Sequence, residues 1–536
     1  MKRRKFLLSS FIGSAAVCVP LTNSCKRIEK KTETNLKYES ELDEVTIHKM
    51  QDWLKTGKYT SESIVSQYQE RIEAIDKGGP QLHSIIELNP DAITIARQLD
   101  NERKSGKIRG PLHGIPIVIK DNVDTADSMM TTAGSLALAR NKASKDAFIV
   151  SKLRKAGAII MAKTNLSEWA NFRSNRSSSG WSGRGGQTKN PYMLNRNPCG
   201  SSSGTGVAVS ANLCVAGIGT ETDGSIVCPS SVNGIVGIKP TVGLCSRSGI
   251  IPISVSQDTA GPMARTVTDA AILLGALTGV DTNDFATADS EAKTYKDYTQ
   301  FLVKDGLKGA RVGIARNFFG FHEKVDLIME DVIKVLESAG ARIIDPANIE
   351  FVKEATEAEF QVLLYEFKDG INKYLAGTGA QNTIKSLDDV IKFNADNIDK
   401  ELRYFDQEIM LQAQKKGPLT ENTYLQALTN TKKYSRDSGI DSTMKRRSLD
   451  VIIAPTGGPA WVTDLINGDR YLGGSSTPAA CAGYPAITVP AGFIEGLPVG
   501  VTFMGKAWSE SQLIKYAFSF EQATMHRKAP GFAAGI

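Results

Sequence analysis

Gly114-Ile115-Pro116-Ile117-Val118-Ile119-Lys120 is a short, almost wholly apolar run rich in β-branched residues, and it ends abruptly on a lysine. Its length and lack of helical periodicity predict a strand covered on both faces. The same texture returns at Ala158-Ile159-Ile160-Met161, across residues 213–219 and at Ile235-Val236-Gly237-Ile238. Val451-Ile452-Ile453-Ala454 and Ala486-Ile487-Thr488-Val489 continue the series, with helical stretches such as 147–156 and 266–277 between the runs. Buried strands alternating with helices predict an α/β fold: a central twisted, mixed but largely parallel β-sheet surrounded by α-helices.

Outward from these strands, residues 40–105 read as helical, with Ile47, Met50, Trp53 and Leu54 on one face and Thr60-Ser61-Glu62 opening a second amphipathic run. Residues 280–445 are charged, helical and poor in short β runs, a helical elaboration suited to shaping a substrate pocket. Because strands occur on both sides of that elaboration, residues 41–536 are expected to form one large domain around a discontinuous sheet. No fixed repeat is present.

The 536 residues carry a formal charge of +6, with 41% hydrophobic and 23% charged side chains, the range of ordinary globular proteins. Seven basic residues within the first thirty (Lys2, Arg3, Arg4, Lys5, Lys26, Arg27 and Lys30) face only Glu29, so the whole excess sits there. The remainder is formally neutral, which argues against nucleic acid as a partner. Residues 1–24 read as an export signal: a basic start, then an apolar stretch too short for a membrane span. Arg3-Arg4 before Lys5-Phe6-Leu7-Leu8 resembles a twin-arginine signal, with an ordinary Sec signal as the alternative. Either predicts a bacterial protein that leaves the cytoplasm for the periplasm. Asn23-Ser24-Cys25 resembles a loose lipoprotein box in which Thr22 replaces the expected apolar residue, so a lipid at Cys25 is left open. Such a lipid would be the one membrane contact, with residues 25–40 as a polar tether. Cys199, Cys214, Cys228, Cys245 and Cys481 show no C-x-x-C spacing and sit in apolar or glycine-rich surroundings, so they are read as small buried residues, with neither a disulfide framework nor a zinc site.

Candidate chemistry begins at Pro198-Cys199-Gly200-Ser201-Ser202-Ser203-Gly204-Thr205-Gly206. Gly200 to Gly204 imitates the G-x-S-x-G nucleophile elbow, which would make Ser202 the attacking group. That reading needs a base. Of the five histidines only His322 and His526 follow Ser202, one opening a charged helix and the other in a basic tail, and neither at a strand end. A lysine can serve if burial keeps it neutral, and Lys120 ends a very apolar strand. It could equally snorkel into solvent, and Asp121 and Asp124 nearby would hold it charged, so spacing alone leaves both readings open. Downstream, Gly217-Ile218-Gly219-Thr220-Glu221-Thr222-Asp223-Gly224-Ser225-Ile226 leaves an apolar run for a turn of small residues. Such a turn can present backbone N–H groups to an oxyanion, although a plain turn or phosphate loop has similar composition.

Taken together, G-I-P-I-V-I-K-D-N-V-D, T-T-A-G-S at 131–135, C-G-S-S-S-G-T-G, G-T-E-T-D-G-S-I and S-Q-D-T-A-G-P-M-A-R at 256–265 resemble the amidase signature family of serine hydrolases. The resemblance extends over roughly residues 40–530. It implies a Ser–Ser–Lys catalytic triad: Lys120 as base, Ser225 as nucleophile, and Ser201, preceded by a cis peptide bond, as proton relay. Backbone N–H groups of Thr222, Asp223, Gly224 and Ser225 would form the oxyanion hole, with Gly200, Ser202, Asp258 and Arg265 in support. The implied reaction passes through an acyl-enzyme and calls for no metal and no organic cofactor.

Two positions depart from the common family pattern: Asp223 stands where a first glycine is usual, and Val227 where an arginine is usual. With W-A-N-F-R at 169–173 and R-G-G-Q at 184–187, these departures look most like the peptide amidase branch. The expected activity is hydrolysis of C-terminal peptide amides with release of ammonia. The alternative is a general acylamide amidohydrolase acting on small aliphatic or aryl amides. An amidotransferase subunit would be at odds with export, and a catalytically dead binding protein with the retention of Lys120, Ser201 and Ser225.

Overall fold

A computed structural model describes residues 38–535, so the export signal, Cys25 and nearly all of the polar tether lie outside the described residues. Among the described residues, thirteen strands run in chain order as β1 (Ile85–Leu88), β2 (Pro116–Lys120), β3 (Ile159–Thr164), β4 (Trp181–Ser182), β5 (Gly186–Gln187), β6 (Ala216–Glu221) and β7 (Val236–Lys239). They continue as β8 (Thr259–Ala264), β9 (Arg311–Ile314), β10 (Arg342–Ile344), β11 (Val451–Pro455), β12 (Ala486–Ile494) and β13 (Leu497–Met504). Eleven of them form one sheet in the order β1-β3-β2-β6-β8-β7-β12-β13-β11-β9-β10, while β4 and β5 pair as a small hairpin.

The predicted strands are present, and β2, β3, β6, β7 and β11 are buried along their whole length. The sheet is mixed, and its parallel pairing is concentrated in two blocks, β3-β2-β6 and β11-β9-β10. Antiparallel pairs run through the centre from β6 to β11. Predominantly parallel pairing therefore describes the flanks alone. The physical reason is that helices cover the antiparallel centre too, so its strands are as apolar as parallel ones and composition does not separate the two.

Helices Ile47–Thr56 and Ser61–Arg71 form as predicted, the second behind a capping box in which Thr60 and Ser63 bond reciprocally. Residues 280–445 are largely helical, from Glu323–Ser338 and Val352–Ala376 to Asp441–Arg447. They also supply β9 and β10, two short strands next to the sheet edge that the helical reading of that region did not include. Their sequences, four and three residues with Gly313 in the first, are too short to show a period. One apolar cluster joins the elaboration to the rest of the domain: Leu363, Phe367, Ile371, Leu387 and Met410 pack with Trp169, Phe172, Ile251 and Ile253.

A second correction concerns the cysteines. Cys199 and Cys228 are joined by a disulfide, whereas Cys214, Cys245 and Cys481 are free and buried. The partners lie 29 residues apart in different elements, a pairing that no local spacing rule reveals.

Candidate active site

β2 and β6 are parallel neighbours, so the chain leaves both at the same edge of the sheet. The crevice outside the carboxyl ends of such strands is where α/β sheets place their ligands. Lys120 is the last residue of β2, while β6 ends at Glu221 and feeds the turn that carries Ser225. The Gly200–Ser202 segment enters the same crevice from the side, ahead of helix Ser203–Ser210, and the Gly200–Ser201 peptide is cis. A backbone hydrogen bond from Ser202 N–H to the Ser225 carbonyl, 3.1 Å, docks the two serine segments together.

Lys120 is completely buried, and its Nζ donates to Ser201 Oγ at 2.6 Å, Thr220 Oγ1 at 2.9 Å and the Thr220 carbonyl at 3.1 Å. Burial pulls this ammonium's pKa down to about 7, against the opposing charges of Asp258 and Glu221. Asp121 and Asp124, the neighbours that threatened to hold it charged, turn elsewhere. Asp121 accepts from Thr132 Oγ1 and lies 3.6 Å from Arg184, and Asp124 accepts from the Tyr374 hydroxyl at 2.8 Å. The snorkelling alternative is excluded by the complete burial of Lys120.

In the turn, Gly224 adopts φ +77°, the left-handed region that brings the chain round to Ser225. Thr222 Oγ1 donates to Asp258 at 2.5 Å, and Thr477 Oγ1 donates to Asp223 at 2.6 Å. Asp258 in turn accepts from the N–H groups of Ile253 and Ser254, both at 2.8 Å, and burial raises its pKa to about 6. Ser202, the apparent elbow nucleophile, spends its hydroxyl on β6: it donates to the Thr220 carbonyl at 3.1 Å and accepts from Thr220 N–H at 3.2 Å. Gly200 has no room for a side chain, since a Cβ there would fall 2.1 Å from Ser167 Oγ.

Arg265 stands apart from this constellation. β8 runs antiparallel to β6, so Asp258 just before it is at the site edge and Arg265 just after it at the opposite edge. There the guanidinium bonds the carbonyls of Val209, Cys214 and Val45. Its support is to the scaffold. Val227 is buried in a cluster with Ala479, Ala482 and Tyr484.

Three contributors were missed from sequence. Thr220 gives Lys120 two acceptors, Asn122 donates to Thr220 Oγ1 at 3.0 Å, and Glu221 accepts from Ile226 and Val227 N–H at 2.7 and 3.0 Å. Glu221 thereby satisfies the first donors of helix Val227–Val232. An acid six residues ahead of the helix start was its only sequence signal.

The amidase family profile matches residues 63–514. The chain belongs to the amidase family. This amidase is 41% identical to a probable amidase of Arabidopsis thaliana over 502 residues, 92% of each chain. Its fold superposes with a TM-score of 0.89 on a crystal structure of a peptide amidase bound to the competitive inhibitor chymostatin, at 47% identity, over 91% of this chain and 99% of that one. Against the native peptide amidase of Stenotrophomonas maltophilia the TM-score is 0.87 at 46% identity, covering 92% and 99% of the two chains.

Proposed function

We propose that this amidase hydrolyses C-terminal peptide amides to peptide acids and ammonia through a Ser–Ser–Lys relay. The observation that carries the proposal is a fully buried lysine, poised near neutrality, 2.6 Å from the Ser201 hydroxyl. A neutral amine has two N–H groups and one lone pair. With Thr220 offering two acceptors, the lone pair of Lys120 is left to receive the Ser201 proton as Ser201 takes the proton of Ser225. Ser225 then attacks the amide carbonyl. The tetrahedral oxyanion rests on N–H groups of the 222–225 turn, and the proton held at Lys120 returns through Ser201 to the leaving nitrogen. Ammonia departs, and water, activated along the same path, cleaves the acyl-enzyme. Likeness along the whole domain to peptide amidase supports the substrate class. The pattern of residues 1–24 supports export to the periplasm, with any membrane attachment through lipid at Cys25.

The test is ammonia release from a panel of peptide amides, amino-acid amides and simple acyl amides. Turnover of peptide amides is expected, and turnover confined to small aliphatic or aryl amides would favour a general acylamidase. Ser225→Ala should abolish release, and Lys120→Ala should lower kcat by about 10²-fold or more. Full turnover by Ser225→Ala, or a fluorophosphonate label on Ser202, would overturn the assignment.

A further inference from the structure

The Cys199–Cys228 disulfide lies beside the proposed reacting groups. Cys199 is two residues before Ser201, and Cys228 is three residues after Ser225. Along the chain the serines are distant, but through this bridge, with its Cα atoms 6.1 Å apart, two short arms connect them. Each arm is stiffened locally. Cys199 N–H donates to Asn197 Oδ1 at 2.8 Å, its carbonyl accepts from Ser203 Oγ at 2.6 Å, and Cys228 N–H donates to the Gly224 carbonyl at 2.8 Å. Direct hydrogen bonds between the two segments are few: Ser202 N–H to the Ser225 carbonyl, and the Asn233 side-chain amide to the Pro198 carbonyl at 2.9 Å. Both cysteines are nearly buried, 5% and 7% exposed, in a cluster with Tyr192, Val232 and Trp461.

We propose that this disulfide is a positioning crosslink for the reaction: oxidised, it holds the Ser201 and Ser225 segments in register for proton transfer, and reduced, it lowers turnover while the fold persists. The inference rests on the proposed roles of Ser201 and Ser225. The main sheet is held by its own ladders and the largest apolar core contains neither cysteine, so the fold is expected to persist without the bridge. The relay does depend on it, because a misplacement of about 1 Å at reacting groups costs on the order of 10²-fold in rate. Chemically, a dithiol reductant passes two electrons and two protons to the S–S bond, leaving two thiols and its own cyclic disulfide. Oxidised glutathione reverses the change, becoming two molecules of reduced glutathione.

The experiment compares wild-type enzyme with Cys199→Ala/Cys228→Ala. Measured are kcat and KM on a peptide amide, the rate of fluorophosphonate labelling of Ser225, and the thermal melt. Expected are a fall of about tenfold or more in kcat and labelling rate, a KM within about twofold, and a melt well above assay temperature. Wild-type enzyme reduced with dithiothreitol should lose turnover in step with thiols mapped to Cys199 and Cys228, and regain it with oxidised glutathione. Should the double variant not fold, this reduction series decides. The proposal is overturned if kcat stays within about twofold, if activity tracks the unfolded fraction, or if fully active enzyme carries free thiols at both positions. Turnover by Ser225→Ala would instead overturn the functional reading, whatever the bridge does.

Discussion

At the scale of single residues, the pKa of Lys120 makes the sharpest claim. In the proposed relay its neutral form is the base, and burial brings its pKa down to about 7, so kcat/KM should rise as pH increases through neutrality and level off above it. A profile flat from about pH 6 to 8 would remove Lys120 from the base role. Gly200 is the second such residue. Gly200→Ala drives a methyl group into Ser167 Oγ and should lower kcat severely or prevent folding. Gly200→Ala/Ser167→Ala relieves the closest contact and should recover part of the activity, though it leaves Gly180 N–H without its 2.9 Å acceptor. A double variant no better than the single one would show that Gly200 is needed for another reason.

At the scale of elements, local rules account for much of the structure. Thr60 illustrates how local they are: its hydroxyl and that of Ser63 close the capping box at 3.1 and 3.0 Å on the surface. Thr60→Ala should therefore cost about 1 kcal/mol in a denaturation experiment and leave turnover untouched. β8 shows where local rules fail. Its sequence, Thr-Ala-Gly-Pro-Met-Ala, has small residues and a proline that argues against an interior strand. It is an interior strand nonetheless, because β7 pairs only with Met263 and Ala264 and the ladder on that side ends before Pro262.

At the scale of the whole molecule, the helical elaboration is locked to the signature segments through a buried charge cluster. Arg173 pairs with Glu168 and lies 3.7 Å from Glu401, its guanidinium resting 4.1 Å from the Phe405 ring centre, while Glu401 accepts from Leu136 N–H at 2.7 Å. Burial first, and the neighbouring Glu168 second, push the Glu401 carboxyl up to about 9. Between its ordinary value of 4.5 and about 9, the folded chain holds a proton that the unfolded chain has lost, so this group's contribution to stability falls as pH rises through that window. Wild-type melting temperature should decline toward pH 9 more steeply than that of Glu401→Gln, and parallel slopes would refute the raised Glu401 carboxyl. The sequence by itself determined the short apolar strands and the amphipathic helices, and its ordered motifs single out Lys120, Ser201 and Ser225 as the candidate site residues. Only the tertiary structure decided the antiparallel centre of the sheet, the strand β9 and the edge strand β10, the Cys199–Cys228 bridge and the partners of Lys120. The reason is range: periodicity and capping act between residues that are neighbours in the chain. The acceptors that Thr220 offers to Lys120 come from 100 residues away and exist only once β2 and β6 lie side by side.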